Sequence, residues 1–160
     1  MPRLGPFQES ERSPRVLPGA VLFACSFNAI RSPMAAAILS HLAGPRTYVA
    51  SAGVRAGPPD PMLGDVMLEI GVHLTGHAPH TIADLNDTSF DVAVTLSPEA
   101  HHQVLELTRT MAVQVEYWPT MDPSYIEGTR EQRLEAYRAL RGQLFQRIKR
   151  RFGLGGGPTV

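Results

Sequence analysis

One short stretch of the chain gathers side chains that can do chemistry: Cys25-Ser26-Phe27-Asn28-Ala29-Ile30-Arg31-Ser32-Pro33. A thiol of ordinary pKa, ~8.5, is only a few per cent ionised near neutrality, and the thiolate is the nucleophile. Cationic neighbours and a helix N-terminus pull such pKa values down to ~3.5–7.5, each unit being worth about 1.36 kcal/mol. The stretch offers both. Arg31 brings a full charge and a planar fork that matches two phosphoryl oxygens. The backbone N–H groups of Ser26, Phe27, Asn28, Ala29, Ile30 and Arg31 can converge into an anion-binding nest. A helix opening at Ser32 would point its positive end inward, and the Ser32 hydroxyl can donate to sulfur. Features that favour a thiolate here also favour a bound phosphate and its transition state. A lone cysteine at a strand end is more often inert packing. An arginine six residues on, ahead of a capped helix, favours the reactive reading.

A second signal is Asp122-Pro123. Asp-Pro alone is a common turn. A phenolate has a conjugate-acid pKa near ~10, however, so its departure is helped by a carboxylic acid on a neighbouring loop.

The surrounding pattern says what must position these groups. Ala20–Cys25 is a continuous apolar run after Pro18-Gly19, suited to a strand buried on both faces. Ser32 as N-cap and Pro33 at the first helical position open a helix. Met34, Ile38 and Leu42 would line its inner face, and Gly44-Pro45 would stop it. Thr47–Ser51, ended by Gly53, Phe90–Thr95, and Ala112–Trp118, alternating at Val113, Val115 and Tyr117, read as further strands. Pro61–Ile70 and Ser97–Leu107 read as helices, the former presenting Met62, Val66, Met67 and Ile70. A long final helix opens on a Thr129/Gln132 capping box, with a stripe of Leu134, Tyr137, Leu140, Leu144 and Ile148. Alternating strands and helices predict a four-stranded parallel sheet flanked by helices on both faces, a Rossmann-like three-layer α/β sandwich. Ligands of such sheets bind beyond the carboxyl ends of the strands, where Cys25 stands.

The 160 residues suit one domain. Residues 1–17 are expected to be a mobile Pro-rich tail, 18–152 the domain, and 153–160 a mobile Gly-rich tail. Formal net charge is zero, which gives no reason to expect nucleic acid or a membrane surface as partner. The one cysteine allows no intrachain disulfide. No apolar run is long enough to span a bilayer, and the N-terminus lacks the layout of a signal peptide. The cytoplasm is therefore the expected location. His77-x-x-His80 and His101-His102 lack the further ligands of a metal site, so neither metal nor cofactor is expected. The arginines of the last helix (Arg133, Arg138, Arg141, Arg147, Arg150, Arg151) read as a solvated face, partly offset by Glu131 and Glu135.

From about residue 19 to 152 the chain resembles the low-molecular-weight protein tyrosine phosphatases, on the Cys, five residues, Arg, Ser signature between first strand and first helix and on Asp122-Pro123. The resemblance implies Cys25 as nucleophile and Arg31 as phosphate ligand. It implies Asp122 as the acid that protonates the leaving group and later activates water. Asn28 would shape the loop, Ser32 would hydrogen-bond the nucleophile, and His77 would brace the loop asparagine, the alternative being a plain surface histidine. The chain departs from the family pattern at several positions. Phe27 replaces a common glycine, whose backbone freedom it lacks. Ile30 replaces a second cysteine, Ala36 a glutamate, and His80 an arginine. Ser124 replaces the first of two aromatic residues after Asp-Pro, leaving Tyr125 as pocket residue with Phe27. Trp118 reads as core, with the pocket wall as its alternative place.

The resemblance implies hydrolysis of phosphate monoesters, phosphotyrosine in proteins foremost. A phosphorylated protein or small phosphate ester would be the partner, and inorganic phosphate, vanadate or arsenate would bind the loop. Arsenate reductases share the scaffold. With one cysteine, such chemistry would need an external thiol. An impaired loop that only binds phosphate or phosphoprotein is the remaining alternative.

Overall fold

The computed structural model describes residues 17–74, 76–85 and 89–155. Strand β1, Ala20–Cys25, is buried from Val21 onward because it lies inside the sheet. It pairs in parallel with β2 (Tyr48–Gly53) on one side and β3 (Val92–Thr95) on the other, and β3 pairs in parallel with β4 (Gln114–Tyr117). The order β2-β1-β3-β4 makes a four-stranded parallel sheet, as the alternation of elements predicts. The chain leaves β1 for β2 on one side and returns to β3 on the other. The carboxyl ends of β1 and β3 thus flank the switch in strand order, where such sheets bind ligands.

Alternation along β1 feeds two cores. Val21, Phe23 and Cys25 face a large one with Met34 and Ile38 of α1 (Arg31–Ala43), Val66 and Met67 of α2 (Pro61–Leu68), and Leu140, Leu144 and Ile148 of α4 (Arg130–Phe152). Leu22 and Ala24 face a smaller one with Ala100 and Val104 of α3 (Pro98–Leu107). No helix among the described residues is long and apolar enough to cross a membrane.

Several boundaries differ from the sequence reading, each for a physical reason. Helix α1 starts at Arg31, and its N-cap position, Ile30, supplies no side-chain acceptor. Ser32 is not the N-cap, because its buried hydroxyl is used inside the loop. Gly44 does end α1, in the left-handed region at φ 62°, while Leu42 is only partly buried at the core's edge. Strand β2 runs on through Ala52 and Gly53, paired with Ala24 and Cys25. Gly53 is the strand's last residue rather than its breaker, since loop backbone packs against it. Asp60 caps α2, which ends before Ile70. Ser97 caps α3, and Phe90 is buried but precedes β3.

At the edge strand β4, Tyr117 is 38% exposed and stacks on His101 at 4.4 Å, leaving the inward alternation to Val113 and Val115. The packed body also reaches two residues beyond the expected boundary at 152. Gly153, in the left-handed region, turns the chain so that Leu154 is 7% exposed within the core. Leu17, at the end of the expected N-terminal tail, also packs against the core, and the expected tail residues 1–16 and 156–160 lie outside the described residues.

The arginines of α4 are not a simple solvated face. Arg138 and Arg141 bind Glu69 at the end of α2, and Arg151 binds Glu116 of β4. Arg147 lies over the Trp118 ring at 4.6 Å.

Candidate active site

The residues from Cys25 to Arg31 wrap into a loop between β1 and α1, and its carbonyls are tied on the outside. Val54 N–H donates to Cys25 O, Arg55 N–H to Ser26 O and Gly57 N–H to Phe27 O. His77 Nε2 donates to Asn28 O at 2.9 Å, the tautomer fixed by a partner that can only accept. In a trans peptide the following N–H points opposite to the carbonyl, and no peptide among the described residues is cis. Four outward carbonyls therefore turn the N–H groups of residues 26 to 29 inward, an anion-binding concavity. The Asn28 N–H already donates to Cys25 Sγ at 3.3 Å.

Asn28 makes the turn possible. It is the one described non-glycine residue at positive φ, 54°, a region that asparagine enters more readily than most residues. Its fully buried side chain is satisfied on three sides. Nδ2 donates to Ser32 Oγ at 2.9 Å and to Ser51 Oγ at 3.0 Å, and Oδ1 accepts from the His80 N–H at 3.0 Å. Ser32 Oγ lies 3.0 Å from Cys25 Sγ and 3.3 Å from Ala52 O. With Asn28 donating to that oxygen, its single proton is shared between the two, and a thiolate claims it by charge. Ser26 Oγ donates to Ser97 Oγ, joining the loop to the start of α3.

Phe27 does not carry the left-handed strain that a glycine at its position would absorb, because that conformation falls on Asn28. Room for its side chain is made opposite, where a Cβ on Gly57 would stand 3.0 Å from Phe27 Cβ. The Arg55 guanidinium covers the Phe27 ring at 5.5 Å and is paired with Glu99. That pairing holds the Glu99 carboxyl below the usual carboxylate range.

Cys25 is 2% exposed at the floor of a cleft of about 460 Å³. Ala29, Ile30 and Arg31 share its lining with Phe27, Asp122, Ser124, Tyr125 and Arg133. Arg31 is nearly buried. Its Nη1 donates to Thr120 O at 2.9 Å, and its Nη2 is 3.8 Å from Asp122 Oδ2. Asp122 Oδ1 accepts from both the N–H and the hydroxyl of Ser124, at 2.9 and 2.7 Å. Ser124 thus fixes the carboxylate and leaves Oδ2 toward Arg31. Tyr125 stands 73% exposed at the rim. Trp118 is not in the wall; it is buried edge-on to Phe23 at 6.2 Å.

His80 braces the loop from outside, with Nε2 on the Ser51 carbonyl, and His101 bonds Thr95. Among the described residues no group of three or more His, Cys, Asp or Glu is placed to hold a metal.

Sequence reasoning missed Ser51, Ser97 and Thr120, which act through small hydroxyls or the backbone, and left open what His80 does in place of an arginine, where its ring and its N–H both brace the loop. It also missed Asp60, whose Oδ2 accepts the Tyr137 hydroxyl at 2.6 Å beside the cleft. Burial first, and that bond second, push the Tyr137 phenol above its ordinary range, so it stays a donor. Arg133 was assigned to solvent. Its spacing of four from Tyr137 on one helix face was the signal that it would join the cleft.

Residues 20–150 match the family model described as low molecular weight phosphotyrosine protein phosphatase. The chain belongs to this family. An arsenate reductase of Shouchella clausii is 31% identical over 81% of this chain and 92% of the relative. A solved arsenate reductase in the phosphate binding state is 26% identical, with a TM-score of 0.65 over 84% of this chain and 96% of that one. The tyrosine phosphatase amsI of Erwinia amylovora shares the fold at a TM-score of 0.69 and 21% identity, covering 87% of this chain and 95% of that one. Proteins named for two different reactions thus share this chain's scaffold.

Proposed function

We propose that the protein is a cysteine-dependent phosphatase that hydrolyses phosphate monoesters, with phosphotyrosine in proteins as its substrate class. Cys25 Sγ attacks phosphorus in line while Arg31 and the inward N–H groups hold the equatorial oxygens. Asp122 protonates the leaving oxygen as the P–O bond breaks. The resulting carboxylate then takes a proton from water, whose oxygen attacks phosphorus and returns the thiolate with release of inorganic phosphate. These steps balance with the chain's own side chains and water.

The observation that carries this reading is the Asp122 carboxylate, held by Ser124 and facing Arg31 in the cleft that Cys25 also lines. A second reading, arsenate reduction, is favoured by the name of the Shouchella clausii relative. It requires two electrons, and the sequence contains one cysteine, so a second thiol would have to come from another molecule.

The test is hydrolysis of p-nitrophenyl phosphate by the wild type and by Cys25→Ser, with vanadate as competitor. Arsenite formation from arsenate with a small external thiol is measured in parallel. Hydrolysis that vanishes in Cys25→Ser and is blocked by vanadate supports the phosphatase. Arsenite formation without ester hydrolysis supports the second reading. Asp122→Asn should slow alkyl and phenyl phosphates by ~10²–10⁴ and p-nitrophenyl phosphate much less. Equal slowing of both would remove Asp122 from the acid's role.

A further inference from the structure

The cleft holds a cation that the proposed chemistry does not use. Arg133, in the second turn of α4, lines the same cleft as Cys25 and Arg31 and is half-buried. Its neighbours on α4 are neutralised: Arg130 by Asp65, Arg138 by Glu69, Glu131 and Glu135, and Arg141 by Glu69. Arg133 has no carboxylate within 4 Å among the described residues, and none of its side-chain N–H groups donates to one.

Two carboxylates share the cleft, and each is engaged elsewhere. Asp60 accepts from the Met62 N–H through Oδ1 and from the Tyr137 hydroxyl through Oδ2. Asp122 is held by Ser124 and faces Arg31. The charge of Arg133 is felt at the Tyr137 hydroxyl, where it opposes the upward push of Asp60 and Asp122. An unpaired, partly desolvated guanidinium in an open cleft attracts an anion, and its fork favours a carboxylate. Toward solvent the cleft lining ends in the exposed side chain of Tyr125, a surface for a ring.

We infer that Arg133 binds an acidic side chain next to the phosphorylated residue, so that the cleft selects acidic phosphopeptides. The inference rests on the proposed phosphatase reading and names its substrate class more narrowly.

Paired phosphotyrosyl peptides test it, identical except for Asp or Asn beside the phosphorylated residue. The wild type should prefer the Asp peptide about fivefold in kcat/KM, through KM, and lose that preference in high salt. Arg133→Gln should bring the ratio to about 1, Arg133→Lys should keep part of it, and Arg133→Glu should reverse it, with thermal melting checking the fold of each. The same peptides bound to Cys25→Ser protein, read by fluorescence anisotropy, test the subsite without turnover. A ratio near 1 in binding to Cys25→Ser protein that keeps Arg133, or a preference that survives in folded Arg133→Gln, overturns the subsite. Acidic preference in binding without turnover of any ester by the wild type leaves the subsite standing and overturns the phosphatase reading instead.

Discussion

At the scale of single residues, Asn28 carries more of the loop than its size suggests. It supplies a left-handed backbone and three hydrogen bonds from one buried side chain. The two contributions separate by mutation. Asn28→Gly keeps the backbone angle and loses the bonds; Asn28→Ala loses both. Alanine in the left-handed region costs roughly 1–2 kcal/mol, and each buried group left unpaired about 1–3 kcal/mol. Asn28→Ala should therefore unfold more easily than Asn28→Gly by about 1 kcal/mol in urea titrations. Both should lose most of kcat on p-nitrophenyl phosphate, because Ser32 is no longer held against sulfur. Wild-type kcat in Asn28→Gly would show that the loop needs only the angle. Cys25, Arg31 and Asp122 were legible in the sequence because their chemistry is in the side chain and their spacing is local. The partners of Asn28 were not. Ser51 and the His80 N–H lie 23 and 52 residues away and are common groups that mean nothing until the fold brings them together.

At the scale of elements, the site depends on how closely β2 approaches the loop. A Cβ on Gly53 would stand 2.7 Å from Arg55 O, 2.8 Å from Asn28 N and 2.9 Å from Phe27 C, all of it backbone. Nothing flexible is there to yield, so Gly53→Ala must move the loop or the end of β2. The expected result is a loss of about 1–3 kcal/mol of stability, typical of overpacking, with a larger proportional loss of kcat than of binding. Gly64→Ala is the control, since its Cβ would meet nothing within 4 Å and it lies mid-helix. Equal effects at the two positions would mean that close approach at Gly53 is not what shapes the loop. The strands and helices were readable because apolar periodicity reports burial, which is what the sheet and its covering helices do. Their ends at the site were not, because function redirects the signals that set boundaries. The serine that looks like a cap for α1 is spent on sulfur, and the glycine that looks like a strand breaker is the strand's last paired residue.

At the scale of the whole molecule, α2 and α4 are held together on the outside by charge. Hydrogen bonds from Arg138 first, then Arg141, bring the Glu69 carboxyl down to about 2, against the partial opposition of burial. A carboxyl with a depressed folded-state pKa stabilises the fold above its unfolded pKa, ~4.3, and loses that contribution as pH falls toward the folded value. The window for Glu69 therefore runs from about pH 4.5 down to about pH 2. The group is about a third exposed, so solvent screening keeps its contribution near the upper end for surface pairs, about 1 kcal/mol. Glu69→Gln should melt below the wild type at pH 7 by that amount, and the gap should close as both are melted at pH 4, 3 and 2. Other carboxylates titrate in both proteins, so the difference isolates this one. A gap that stays constant down to pH 2 would assign the stabilisation to packing of the Glu69 side chain between the two helices rather than to its charge.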